Sequence, residues 1–130
     1  MKIYTLGTST RSLEEFISVL RENGIEVAVD VRRFPRSRFP HFEGEALAHE
    51  LPKEGIDYVW MGKELGGYRK GGYPAYMETQ AFQEGLRRLE DMATKKRVAI
   101  FCAERIPWRC HRRFISWRLE ERGWEVVHLI

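Results

Sequence analysis

The stretch "FCAERIPWRCHRRFISW", residues 101–117, gathers the side chains best suited to chemistry: Cys102, Glu104, Cys110 and His111 among four arginines. A thiol beside cationic groups ionises readily and becomes a nucleophile. An imidazole can carry a proton, and a nearby carboxylate can orient it. Arg105, Arg109, Arg112 and Arg113 make one cluster of guanidinium groups, and Arg32, Arg33, Arg36 and Arg38 make a second. Clusters of this kind near loops can form anion sites.

Cys102 follows an apolar run and precedes a helix-forming one, the position of the nucleophile in sulfurtransferases and cysteine phosphatases. The phosphatase spacing C-x5-R needs arginine at position 108, which is Trp108. Cys102 is therefore expected to be a small core residue. Cys110 falls in the expected first turn of the last helix, where the helix dipole, Arg109 and Arg113 favour the thiolate. Helical spacing also puts Cys110 and His111 on the face of Phe114, Ile115 and Leu119, and burial there raises a thiol pKa. The two effects oppose each other, and the sequence leaves the balance open. Glu104 is the group expected to orient His111 as a proton shuttle.

Asp30 and Arg32 flank Val31, so strand alternation sends both side chains to one face, where Asp30 can orient Arg32. A structural ion pair at a strand end is the equal alternative. Gly7, Thr8, Ser9 and Thr10 form a strand-to-helix turn whose hydroxyls and amides suit an anion. "LGGYRKGGY" lacks phosphate-loop spacing; Tyr68, Arg69, Lys70 and Tyr73 suit either a ligand lid or a flexible connection. C-x7-C-H lacks the paired spacing of structural zinc, and His41, His49 and His128 are scattered, so no resident metal is expected. Asp30 and Glu104 offer at most a transient Mg²⁺ shared with a phosphate ligand.

The chain that carries these residues is one domain's length, 130 residues, read as a single unit over 1–130. A net charge of +3 does not by itself announce nucleic acid. No apolar run approaches the roughly 20 residues of a membrane span. Two cysteines without a secretory layout argue against a disulfide framework and for a cytoplasmic setting. Strands are predicted at 2–7, 25–31, 56–61 and 97–103 and over the closing "WEVVHLI". Leu13, Phe16, Ile17 and Leu20 share one face of a helix with a capping box at Ser12 and Glu15 and a stop at Asn23–Gly24. A short helix over "GEALAHEL", a longer one carrying Phe82, Leu86, Leu89 and Ala93, and one from Pro107 to about Arg122 complete the pattern. Such alternation predicts an α/β/α three-layer domain with a mainly parallel five-stranded sheet, Rossmann- or flavodoxin-like, in the order 3-2-1-4-5. The carboxyl ends of strands one, two and four would then bring Thr8, Ser9, Asp30, Arg32, Cys102 and Glu104 to one place.

"YTLGTSTRSLEEF", "GIEVAVDVRRFPRS", "LGG", "AYMETQAFQEGL" and "CAERIPWRCHRRFI" resemble, in order, the segments of the domain-of-unknown-function 488 family. The resemblance covers almost the whole chain, with C-A-E-x-x-P-x-x-C-H-R its most specific part. It implies a small prokaryotic cytoplasmic domain and brings no established reaction. Position by position it points to Gly7, Ser9, Asp30, Arg32, Pro35, Ser37, Leu65, Gly66, Gly67, Cys102, Glu104, Pro107, Cys110, His111 and Arg112. The chain departs from the family where Thr8 replaces a more usual histidine or tyrosine, and in a shorter connection after Gly67.

These readings lead to an enzyme binding a phosphate-bearing ligand, a nucleotide or nucleic-acid component, at the carboxyl ends of strands one, two and four. Thr8, Ser9, Arg32, Ser37, Arg105 and Arg112 would bind it; Glu104, His111, Cys110 and Asp30 would serve the reaction. A non-catalytic nucleic-acid module built on the arginine-aromatic loops is the first alternative, and a sulfur or redox carrier at Cys110 the second. No cofactor and no membrane partner are expected.

Overall fold

The computed structural model describes residues 1–130. In chain order its elements are β1 (Lys2–Gly7), α1 (Leu13–Glu22), β2 (Val27–Asp30), α2 (Gly44–Glu50), β3 (Asp57–Trp60), α3 (Gly62–Leu65), α4 (Tyr73–Tyr76), α5 (Gln80–Lys95), β4 (Val98–Cys102), α6 (Arg112–Glu121) and β5 (Glu125–Leu129). The capping box of α1 forms as its sequence predicts: Ser12 accepts from the Glu15 amide and the Glu15 carboxylate from the Ser12 amide.

All strand pairs are parallel, and the order is 3-2-4-1-5. The expected 3-2-1-4-5 is thus corrected: β4 inserts between β2 and β1. The physical reason lies in the apolar pattern, because β1 and β4 are both buried almost end to end and neither is marked as the more central. Half-exposed β3 and β5 are the edges.

Alternation along β4 divides the core into two layers. Ala99 and Phe101 join Tyr4, Leu6 and Ala28 against Phe16 and Leu20 of α1 and Leu47 of α2. Val98, Ile100 and Cys102 join Ile3, Val27 and Val29 against Phe82, Leu86 and Leu89 of α5 and Ile115 and Leu119 of α6. On the first side Phe16 sits edge-on to both Phe42 and Phe101, with ring centroids 5.3 Å apart in each pair. Burying one such ring stabilises the fold by about 2–3 kcal/mol.

The inserted β4 has a functional consequence. Both its neighbours lead into helices on one face, whereas β4 leads into α6 on the other. The chain therefore parts in opposite directions on either side of the β4 carboxyl end, where open α/β sheets receive their ligands.

The last helix also differs from expectation. Pro107–Arg109 form a single 3₁₀ turn, Cys110 is extended (φ −138°, ψ 177°), and α6 begins only at Arg112. Cys110 thus lies before the helix, not in its first turn. The break leaves the carbonyls of Glu104 and Arg105 outside any helical ladder, and Arg112 turns inward to satisfy both. Gly7 permits this crossing: a Cβ there would stand 2.1 Å from the Glu104 carbonyl oxygen, so only glycine lets the loop run over the end of β1.

Candidate functional site

A cleft of about 730 Å³ opens at the carboxyl ends of β2 and β4. Cys102, Glu104, Cys110 and His111 line it from the β4–α6 connection, Arg33, Phe34 and Arg36 from the segment after β2, and Gly67, Tyr68 and Tyr73 from the stretch before α5.

At its floor the Sγ atoms of Cys102 and Cys110 lie 3.0 Å apart, and neither residue is in a disulfide. Two more donors reach the Cys110 sulfur: Arg112 Nε at 3.3 Å and the Arg112 amide at 3.4 Å. Arg112 is 0% exposed and takes part in no salt bridge. Its remaining acceptors are neutral: the Glu104 carbonyl at 2.6 Å, the Arg105 carbonyl at 3.3 Å and the Thr5 hydroxyl at 3.3 Å. The Thr5 hydroxyl in turn shares a 2.6 Å hydrogen bond with Nδ1 of His128.

A guanidinium taken wholly out of water requires a counter-charge, and the one ionisable acceptor within reach is the Cys110 sulfur. The hydrogen bond from Cys102, joined by those of Arg112 and its charge, outweighs burial and holds the Cys110 thiol down at about 6. The same contact with Cys110, then burial, pushes the Cys102 thiol up. The pair is therefore a thiolate at Cys110 that accepts a hydrogen bond from the thiol of Cys102. The opposition between dipole and burial left open by the sequence resolves toward the thiolate, chiefly through Cys102.

His111 donates from Nε2 to the Val31 carbonyl at 2.8 Å, which fixes its neutral tautomer with the lone pair on Nδ1. Burial, with help from the charge of Arg112, lowers its pKa below the ordinary value despite that hydrogen bond. A Cβ at Gly67 would come within 3.2 Å of Nδ1, so this glycine leaves the ring its space. The structure thus anchors His111 on Val31 and not, as expected, on Glu104, whose Oε1 accepts from the Ile106 amide.

Several other expected site residues are drawn elsewhere. Asp30 pairs across the sheet with Phe101, whose side chain faces α1, while Cys102 faces α6. The Asp30 carboxylate accepts from the Arg32 amide, from Arg32 Nε and Nη2, and from the Tyr58 hydroxyl, at 2.7–3.0 Å. Arg32 gives Nη1 to the Phe42 carbonyl at 2.8 Å, so each of its three nitrogens is tied into the fold although the residue borders the cleft. The structural ion pair is what forms. The amides of Thr8 and Ser9 donate to the carbonyls of Cys102 and Ala103 at 2.8 and 2.9 Å, which removes the expected anion cradle. The Ser37 hydroxyl accepts from the Phe39 amide at 3.0 Å, within its own loop. Arg105 is exposed outside the cleft, within electrostatic reach of Arg11 and Glu15. Arg112 is buried beneath the cleft and offers no guanidinium to a ligand there.

The cations that do face the cleft are Arg33, Arg36, Arg109 and Arg113. None has an acidic partner within salt-bridge distance. Between them stand Phe34, Tyr68 and Trp108, which are 62%, 86% and 59% exposed. Tyr68 keeps a left-handed backbone (φ 60°), held by a 2.7 Å hydrogen bond from Arg33 Nη1 to its carbonyl. Arg69, in contrast, is pinned on the carbonyls of Gly62, Lys63 and Gly66 and stacks over Tyr76 at 3.8 Å. The arginine clusters were visible in the sequence, but which members are free was not.

No curated protein and no solved structure matches the chain. The family model described as "Domain of unknown function DUF488" matches residues 12–119, a span holding β2, β3, β4, both cysteines and every arginine of the cleft. The chain belongs to the DUF488 family.

Proposed function

We propose that the protein is an enzyme acting on a phosphate-bearing ligand in this cleft, with the Cys110 thiolate as its nucleophile. The observation that carries the reading is the fully buried Arg112 guanidinium, whose one ionisable acceptor is a sulfur at the cleft floor. Unpaired Arg33, Arg36, Arg109 and Arg113 suit the anion, and exposed Phe34, Tyr68 and Trp108 suit a base stacked beside it. The sulfur attacks the substrate's electrophilic centre, the bond to the leaving group breaks, and the leaving group takes a proton from water. Water then cleaves the sulfur-bound intermediate, with Nδ1 of neutral His111 accepting its proton.

A ligand screen with nucleotides, sugar phosphates, short RNA and inorganic phosphate tests this. A phosphate-bearing small molecule is expected to raise the melting temperature of the wild type and of Cys110→Ser, and to raise that of Arg36→Ala by less. Turnover is expected only where Cys110 is present. Absence of stabilisation by every phosphate compound overturns the reading.

The same exposed rings favour a second reading, a nucleic-acid-binding module. It predicts affinity that falls steeply with salt and is indifferent to Cys110→Ser.

A further inference from the structure

We propose that Cys102 and Cys110 form a dithiol–disulfide centre that reduces small disulfides entering the cleft, with Cys110 as the attacking and Cys102 as the resolving thiol. The inference rests on the Cys110 nucleophile described above and adds a partner, a substrate class and a second step.

The geometry points to it in three ways. First, the sulfurs are 3.0 Å apart, so an approach of about 1 Å makes the bond of about 2.05 Å. Second, both cysteines line the same cleft, Cys102 the more deeply buried of the two. Third, Cys110 sits on extended backbone between a 3₁₀ turn and α6, whereas Cys102 is the last residue of β4 and paired into the sheet. A disulfide carrying carboxylates, such as oxidised glutathione, also suits the unpaired arginines at the mouth.

The exchange balances without a further reagent. The Cys110 thiolate attacks one sulfur of R–S–S–R, the S–S bond breaks, and R–S⁻ leaves and takes a proton from water. Cys110 is then uncharged and no longer holds the Cys102 proton, while the positive Arg112 remains beside both sulfurs. The Cys102 thiol loses its proton to water and its sulfur attacks that of Cys110. The Cys102–Cys110 bond forms and the second R–S⁻ leaves. The protein dithiol has been oxidised to a disulfide, and R–S–S–R reduced to two thiols.

The test is oxidised glutathione added to the full reduced chain near pH 7, with intact-mass and peptide mass spectrometry after acid quench. The wild type is expected to lose two hydrogens, to carry no glutathione and to yield a 102–110 cross-linked peptide. Cys102→Ala is expected to stop as a mixed disulfide at Cys110. A wild type that accumulates a stable glutathione adduct at Cys110 overturns the proposal, and this result needs no variant to fold. Iodoacetamide run in parallel separates the two readings. Rapid alkylation of Cys110 without cross-linking defeats the dithiol centre alone, whereas a Cys110 inert to both reagents defeats the thiolate as well.

Discussion

The Nε of Arg112 lies 3.3 Å from the Sγ of Cys110, and around that buried guanidinium only this sulfur can carry a full negative charge. The guanidinium favours the charged form of the Cys110 sulfur. Replacing Arg112 with Gln is expected to raise the Cys110 thiol part of the way toward its ordinary range, since the Cys102 hydrogen bond remains, and to slow its alkylation at pH 7. It also strands the acceptors Thr5, Glu104 and Arg105, so a loss of about 3–5 kcal/mol in urea unfolding is expected. Unchanged alkylation in the folded variant would show that Arg112 does not ionise the thiol.

Stability should rise with pH in a window set by Cys110. The folded protein releases this proton at about 6 against an ordinary 9.0, so between those values the unfolded chain binds the extra proton. The contribution is fully present above pH 9 and is lost as pH falls toward 6. His111, held by burial below its ordinary 6.5, acts in the same sense under that pH. Cys102, pushed upward, works oppositely above pH 9, because there the unfolded chain gives up a proton that the fold retains. Urea midpoints from pH 6 to 9 are expected to climb in the wild type and to stay level in Cys110→Ser.

Asp30 belongs to the scaffold. Its carboxylate accepts four hydrogen bonds, three of them from Arg32, and both residues are buried. Asp30→Asn leaves a buried guanidinium without its partner and is expected to cost about 3–5 kcal/mol. Alkylation of Cys110 in the molecules that remain folded should be unaffected, since Asp30 faces α1 and the thiol faces α6. A changed alkylation rate would mean that the two clusters communicate.

The free arginines should show the opposite profile. Arg36→Ala and Arg113→Ala remove exposed side chains without ion-pair partners, so each should move stability by no more than about 0.5 kcal/mol. Binding of a phosphate-bearing ligand is expected to weaken several-fold in each, together with its dependence on salt. Equal affinity in the double variant would remove the anion from the account.

Much of this was legible in the residues. The 3.6-residue spacing of Phe82, Leu86 and Leu89, the Ser12–Glu15 capping box and the buried run of β2 all gave the elements that the structure contains. Strand order was not, because β1 and β4 present nearly the same buried face pattern and only tertiary pairing decides which is central. The candidate site shows the same division. Cys110 and His111 announced themselves by type and neighbours. The separation of Asp30 from Cys102 depended on cross-strand register, in which Asp30 opposes Phe101 and not Cys102. Nor could local sequence reveal that Arg112, one guanidinium among four in its segment, turns inward while Arg113 stays out.

The most direct test of the account is the pH profile of iodoacetamide alkylation at Cys110 in the folded wild type, with the modified residue located by peptide mass spectrometry. The account predicts a rate that rises through a midpoint near 6 and is already at its plateau at neutral pH, with Cys102 unmodified. A midpoint near the ordinary 9.0, or alkylation that appears only after unfolding, would contradict it.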